Sequence, residues 1–468
     1  MRLISLKYFI LVQFFMCAFI GNAFCEQEQL AKVMDLDTIL KKDSCNYIDA
    51  LDQKKEGSYW AVIGGPAYNP DLGLIIALLT GYYYNGYRAD ERFNCTPYIN
   101  ALTFSVSGST KGMYSFLCDW DAPYYKHSVY RVRGRILYMK NLVDTYFGIG
   151  EETLEKLQTP NGKTFTKYND YYDNLSVIQN GQTDAYYNFF RSETAVGNIN
   201  VERDMFSRFF RLICGVYISK VHIHDYTGDT VSAKLEVGSS DRDEASMRTT
   251  KLLQDYQSNK IIGLGESWNN NLRFGMAYDT RDYEVNPKKG MFHDLFYILS
   301  SENVLSDFDY TITTLTMRSF VSPLDKYLNL VLAARLMYSI KNGDVPFYVM
   351  NNMPSSDRHV TGLGGETTLR GFRQNRFIGP VMMLGNIEFR YSFWDFYIKK
   401  ELMSIMIVPF WDFGRVFNNF ENTTLKNIKY SYGLGFRASY NQGFILSIDF
   451  GVSSEESMSF YLNFGSMF

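Results

Sequence analysis

The chain is poor in histidine, with five in 468 residues, and close to neutral, with a formal charge of -3. A chain so balanced has no global attraction for nucleic acid, and no nucleic-acid partner is expected. No nucleophile elbow, phosphate loop or HExxH motif occurs, so neither enzymatic activity nor a cofactor is expected. His222 and His224 stand two apart on a strand-like stretch and share a face. That spacing suits a pair of metal ligands but more often marks plain polarity, and no metal site is assigned. Asp241 and Asp243 fall in a polar loop, where solvation is the simpler reading. Cysteine is scarce as well. Cys45, Cys95, Cys118 and Cys214 show no zinc or redox spacing, and a turn near Ser109–Gly112 sets Cys118 opposite a residue near Thr103 rather than Cys95, so no disulfide is expected.

Long apolar runs are missing too. Beyond the N-terminus the best candidate, LGLIIALLTGYYY (Leu72–Tyr84), falls short of the ~20 residues a membrane-spanning helix needs. At the N-terminus itself, Arg2 and Lys7 precede the apolar run YFILVQFFMCAFI, and small residues follow at Gly21, Ala23 and Cys25. This is the pattern of an export signal over 1–25, cleaved after Ala23 or Cys25. Bulky Phe24 argues against lipid attachment at Cys25. Residues 26–58 form a short periplasmic segment, too small for an independent domain, in which Leu30, Val33, Met34 and Leu40 stripe a short helix; a plug or tether is expected.

What the chain has in quantity is tyrosine and phenylalanine, 36 of each against 5 tryptophans. Such a load suits strands and membrane-interface girdles. The C-terminal third alternates with period two over ten or more residues. In GFILSIDFGV, Phe444, Leu446, Ile448, Phe450 and Val452 take one face, opposite Ile445, Ser447, Asp449 and Gly451. YSYGLGFRASY and YLNLVLAARLMYS repeat the rule, with Arg437 and Arg335 on their polar faces. In MSFYLNFGSMF, Met458, Phe460, Leu462, Phe464 and Phe468 align. Soluble strands average about 5–6 residues, whereas a tilted strand crosses a bilayer in ~9–11. The expectation is therefore an all-β, transmembrane antiparallel barrel of about 16 strands over 59–468, because in lipid every backbone polar group has to be paired. Its sixth strand is placed within 165–193, with 151–205 and 223–270 otherwise read as polar and loop-like.

One stretch breaks this pattern. TGLGGETTLRGFRQNR, Thr361–Arg376, sets four glycines and three arginines between alternating segments, inside a loop near 342–380. On the following strand Met383, Ile387, Phe389, Tyr391 and Phe393 face lipid, so Glu388 points inward. On the next, Ile405, Ile407, Pro409, Trp411 and Phe413 do so, and Asp412 points inward. Two inward carboxylates on adjacent strands invite a guanidinium, and Arg370 is expected to bridge them.

GGETTLRGF, then GNIEFRYSF, then PFWDFGRVF and a last strand ending in Phe468 resemble the BamA/TamA family of outer-membrane barrels, also called the bacterial surface antigen family. The likeness is strongest over 272–468. It implies that the loop folds into the lumen with Arg370, Gly371 and Phe372 as its motif, set against acidic positions matched by Glu388 and Asp412. YDTRDYEVNPKKGMF looks like the family's strand end and hairpin, matched by Asp279, Arg281, Asp282, Pro287 and Gly290. Phe460, Phe464 and Phe468 then resemble a C-terminal insertion signal as well as an interfacial girdle. The resemblance implies a bacterial outer-membrane location in contact with lipid, and a role in outer-membrane protein insertion, assembly or translocation with client proteins or a periplasmic accessory protein. Insertases of the family carry periplasmic (POTRA) domains, which are not expected here. The alternative is a stand-alone pore, surface protein or membrane anchor without insertase activity; a passive porin is a third reading, which the loop motif disfavours.

Overall fold

The computed structural model describes residues 55–90, 93, 96–205, 207–324, 327–398, 401–440, 444–465 and 467–468. The expected leader, nearly all of the 26–58 segment, Cys45 and Cys95 lie outside them.

Alternation along the chain is realised as one sheet. Its first strands are β1 (Ser58–Asn69), β2 (Gly73–Tyr84), β3 (Asn100–Ser109), β4 (Met113–Ala122) and β5 (Tyr130–Thr145). After a long loop come β6 (Phe189–Met205) and β7 (Ser207–His224). Strand β8 is interrupted, as Gly265–Trp268 and Asn271–Asp279, both pieces pairing with β7. Then follow β9 (Gly290–Ser300), β10 (Tyr310–Val321) and β11 (Leu330–Gly343). The chain finishes with β12 (Val381–Ile398), β13 (Glu401–Phe417), β14 (Lys429–Tyr440), β15 (Phe444–Val452) and β16 (Ser459–Phe464). Each pairs antiparallel with the next, and β16 returns to β1, closing a barrel of sixteen strands. Among the described residues no helix is long and apolar enough to cross a membrane.

Fifteen strands lie on the expected stretches, and the sixth shares only residues 189–193 with its own. It lies at 189–205 rather than within 165–193. On its outward face Ile199 and Val201 stand between Gly197 and Arg203, so its alternation is too thin to stand out from polar sequence. The preceding loop holds a helix, Tyr168–Leu175, and Gln182–Thr183, which joins Thr230–Lys234 and Arg242–Met247 in a small three-stranded sheet at the long-loop end of the barrel.

The interior is not uniformly wet. Leu363, Leu369, Phe372 and Phe377 of the glycine-rich tongue pack against Met337 and Leu384 of the wall, forming a dry core inside the lumen. The inward face of β12 begins with apolar Met382 and Leu384 for this reason and becomes polar at Asn386 and Glu388.

Phe468 also departs from expectation. Residues 459–464 keep the period of two, and Phe460 and Phe464 remain outside, against Tyr68 and Phe450, and Phe444, respectively. Strand pairing ends at Phe464, and Gly465, at φ +112°, turns the chain in a direction an L side chain resists. Phe468 therefore enters the lumen instead of the lipid face, is 2% exposed, and packs on Phe320 and Ala333.

Candidate functional site

The neck of the tongue is a reciprocal pair of backbone hydrogen bonds between Leu363 and Phe377, both 3.0 Å. Between them the chain descends into the lumen and carries Arg370 to the wall. Its Nε and Nη2 each donate to Asp412 at 2.9 Å, a fork on one carboxylate, while Nη1 donates to Glu388 at 2.9 Å. Strand register explains the reach. Asn386 lies opposite Asp412 and Glu388 opposite Phe410, so the two acids are diagonal neighbours on the inward face.

Asp449 of β15 is a third carboxylate, 3.3 Å from Arg370 Nη1. Arg390 donates to Glu388 at 2.9 Å and Arg437 to Asp449 at 2.7 and 3.0 Å. Three guanidiniums thus face three carboxylates across β12 to β15, and burying these charges is tolerable because they balance and are mutually hydrogen-bonded. Phe410 places its ring 3.4 Å under the Arg370 guanidinium. Asp449 and Arg437 were visible in the sequence only as polar members of alternating strands; their convergence on Arg370 depends on barrel curvature.

Gly371 is held from the other side. Its N–H donates to the Tyr461 hydroxyl at 3.0 Å, and its carbonyl accepts from Ser453 at 2.6 Å. The tongue backbone here lies on the backbone of β15. A Cβ on Gly451 would sit 2.8 Å from the Arg370 carbonyl carbon, so only glycine fits. Phe372 turns away into the dry core.

The other two arginines of the tongue have acidic partners beyond the barrel wall. Arg376 forks onto Glu455 at 2.8 and 2.9 Å and donates to the Thr153 and Glu155 carbonyls. Arg373 donates to Glu456 at 2.8 Å and to the Pro70 carbonyl at 2.9 Å, with Asp71 at 3.7 Å. Glu455, Glu456 and Asp71 sit in short connections without periodicity, which left no signal for pairing them with a loop some 80 or 300 residues away.

The hairpin residues gather at the opposite, short-turn end. Asp279 accepts a fork from Arg281 at 2.8 and 2.9 Å and another bond from Arg211 at 2.5 Å. Asp282 accepts from the backbone N–H groups of Tyr283, Lys288 and Lys289, tightening the turn in which Pro287 is buried and after which Gly290 begins β9. Arg281 also donates to Asp357, at the tip of a second hairpin in the long loop, Asn352–Pro354 paired with His359–Thr361.

Phe468 lies between two guanidiniums, Arg335 at 4.9 Å and Arg390 at 5.2 Å from its ring, and its carbonyl accepts from Arg390 at 2.9 Å. His222 and His224 stack side by side at 3.9 Å on β7; among the described residues no group of three or more histidine, cysteine or acidic side chains is arranged to hold a metal.

The barrel closes weakly. Strands β1 and β16 share one aligned pair, Tyr68 opposite Leu462, whereas β1 and β2 pair along the whole of Ser58–Asn69. From Tyr59 to Ala67 the β16-facing edge of β1 has no register partner among the described residues.

Compared with known proteins, residues 104–468 match the model of the Omp85 superfamily domain. Comparison with curated proteins returns no match. Among solved structures, BamA from Haemophilus ducreyi lacking POTRA domains 1–3 is 12% identical, with a TM-score of 0.52, and the alignment covers 88% of this chain and 71% of that one. CdiB from Acinetobacter baumannii is 12% identical (TM-score 0.41, covering 87% of this chain and 60% of that one), and CdiB from Escherichia coli is 9% identical (0.49, 87% and 62%).

Proposed function

This chain belongs to the Omp85 superfamily of outer-membrane barrels, and from that premise we propose that it passes polypeptide into or across the outer membrane. Proteins of the superfamily serve insertion and transport, not enzymatic catalysis. The observation that carries the proposal is the seam between β1 and β16, with its single aligned pair. In hydrocarbon an unpaired strand edge is costly, and the partner that satisfies it is another extended strand. A client strand adding to β1 would gain a complete ladder of backbone hydrogen bonds, and alternate outward side chains such as Val62 and Trp60 would select an apolar face. Arg370 and its acids pin the tongue and hold the neighbouring wall, β12 to β15, rigid while the seam parts. Outer-membrane lipid surrounds the wall; client proteins, and an accessory protein on the periplasmic side, are the partners this role requires.

The test is folding of an unfolded eight-stranded outer-membrane barrel in liposomes that contain this protein. The role predicts faster folding than in empty liposomes, and loss of the acceleration when Tyr68→Cys and Leu462→Cys are joined as a disulfide. Equal rates with and without the protein would instead favour a stand-alone pore, surface protein or anchor.

A further inference from the structure

Most of the tongue's grip lies on one side of the seam. Gly371 is bound by Tyr461 and Ser453, and Arg376 by Glu455, all in or next to the hairpin of β15 and β16. Arg373 differs. Its Nε reaches Glu456, in the connection between β15 and β16, while its Nη1 reaches the Pro70 carbonyl and faces Asp71, in the turn between β1 and β2. The adjacent Gln374 N–H donates to Asp71 at 3.0 Å, and the Tyr168 ring lies 4.2 Å from the guanidinium. One side chain thus joins the two hairpins that flank a seam with a single aligned backbone pair, Tyr68 with Leu462, and the Tyr68 ring on Phe460.

We propose that Arg373 is a clasp that holds the long-loop end of the seam shut, a regulatory contact distinct from the Arg370 anchor. The inference rests on the seam as the working part of the barrel. A guanidinium is suited to this position because its planar fork meets a carboxylate on one side and a carbonyl on the other at fixed spacing, which a lysine ammonium cannot do with the same geometry. The clasp is also replaceable. A client segment offering a carboxylate or a strand to either hairpin competes with Glu456 or Asp71, and the seam then parts with the Arg370 network intact.

The experiment follows closure of the seam without any client. Tyr68→Cys and Leu462→Cys are introduced after the native cysteines are replaced by serine, and the rate of disulfide formation under mild oxidation is measured in liposomes. Heat-modifiable gel mobility reports that each variant is folded. Arg373→Gln should slow cross-linking by about tenfold, the change expected on losing one charge-assisted hydrogen bond. Asp71→Asn should slow it in the same direction, and Arg373→Lys should recover part of the rate. Arg376→Gln, which removes an anchor between Glu455 and the β5–β6 loop that does not reach the turn between β1 and β2, should leave it within about twofold. Unchanged cross-linking in Arg373→Gln, or equal slowing in Arg376→Gln, overturns the clasp. Slowed cross-linking together with no effect of the protein on client folding retains the clasp and rejects the insertion role.

Discussion

Asp357 and Arg318 meet in the lumen at 2.9 Å, joining the tip of the second loop hairpin to β10. The same carboxylate accepts from Arg281 at 3.2 Å. The tip is held further by Arg133, which donates to the Ser356 carbonyl at 3.0 Å, and by Asp294, which accepts from the Ser356 N–H at 2.6 Å. The hairpin tip thus fastens the long loop toward β5, β8, β9 and β10, in addition to the tongue contacts that Arg370, Gly371, Arg373 and Arg376 make elsewhere.

From this follows a prediction for conductance. Asp357→Asn leaves Arg318 and Arg281 facing a tip whose nearest charge is Arg358, and breaking a buried pair costs about 3–5 kcal/mol, less where water enters. In planar bilayers the variant should open more often than the parent. Matching single-channel records would mean that the hairpin does not obstruct the lumen.

Removing the first anchor should be felt as stability. Arg370→Ala leaves Asp412 without its guanidinium and sets three carboxylates against two guanidiniums, Arg390 and Arg437, at a cost of about 3–5 kcal/mol, so the temperature at which the folded gel band is lost should fall clearly. Arg370→Lys should recover little, since one ammonium cannot fork onto Asp412 and reach Glu388 as well. Full recovery by lysine would show that charge alone suffices.

Gly451→Ala tests the close approach of tongue and wall. The added methyl meets the Arg370 backbone at 2.8 Å and has to displace it, for about 1–3 kcal/mol. Limited proteolysis should then cut the tongue faster than in the parent; a parent-like digest would contradict the packing.

The inward turn of Phe468 is open to a direct optical test. Phe460→Trp should be quenched by lipids brominated on their acyl chains, and Phe468→Trp should not, because the former faces lipid and the latter lies beneath Arg335 and Arg390. Equal quenching would place Phe468 back on the outer face.

Acid should loosen the clasp. Burial raises Asp71 and Glu456 above the usual carboxylate range, against the opposing pull of Arg373; Lys111 also lowers Asp71, while Glu455 adds to the rise at Glu456. Both groups bind a proton more tightly when folded than when unfolded. Their ionisation therefore takes away folding stability as pH rises from the unfolded carboxylate range through the raised folded values, and acid does not unfold the barrel through them. Protonation does remove the charges that Arg373 holds. Thiolate loss slows cross-linking between Tyr68→Cys and Leu462→Cys in every variant alike as pH falls, so the readout is the rate relative to Arg373→Gln at each pH. That advantage should shrink as pH falls, beginning above the ordinary carboxylate range, and an advantage flat across that range would contradict it.

Much of this architecture could be read from alternation alone, because a residue's face on a strand is fixed by parity. That rule put Glu388 and Asp412 inside the barrel and Trp411 outside. It failed where a strand had few large apolar residues, as in β6, and where a strand ended early, as at Phe468. Parity also gives direction without distance. It could not bring Asp449 to Arg370, Asp71 to Arg373 or Asp357 to Arg318, which depend on how the barrel curves and how the loop folds within it.

The most direct test of the account is to place a photo-cross-linking residue at Val62, on the open edge of β1, and at Val201, on the paired wall of β6, during folding of a client barrel in liposomes. The account predicts adducts with the client's terminal strand from position 62 and few from position 201. Adducts in equal yield at both positions, or none at position 62, would contradict it.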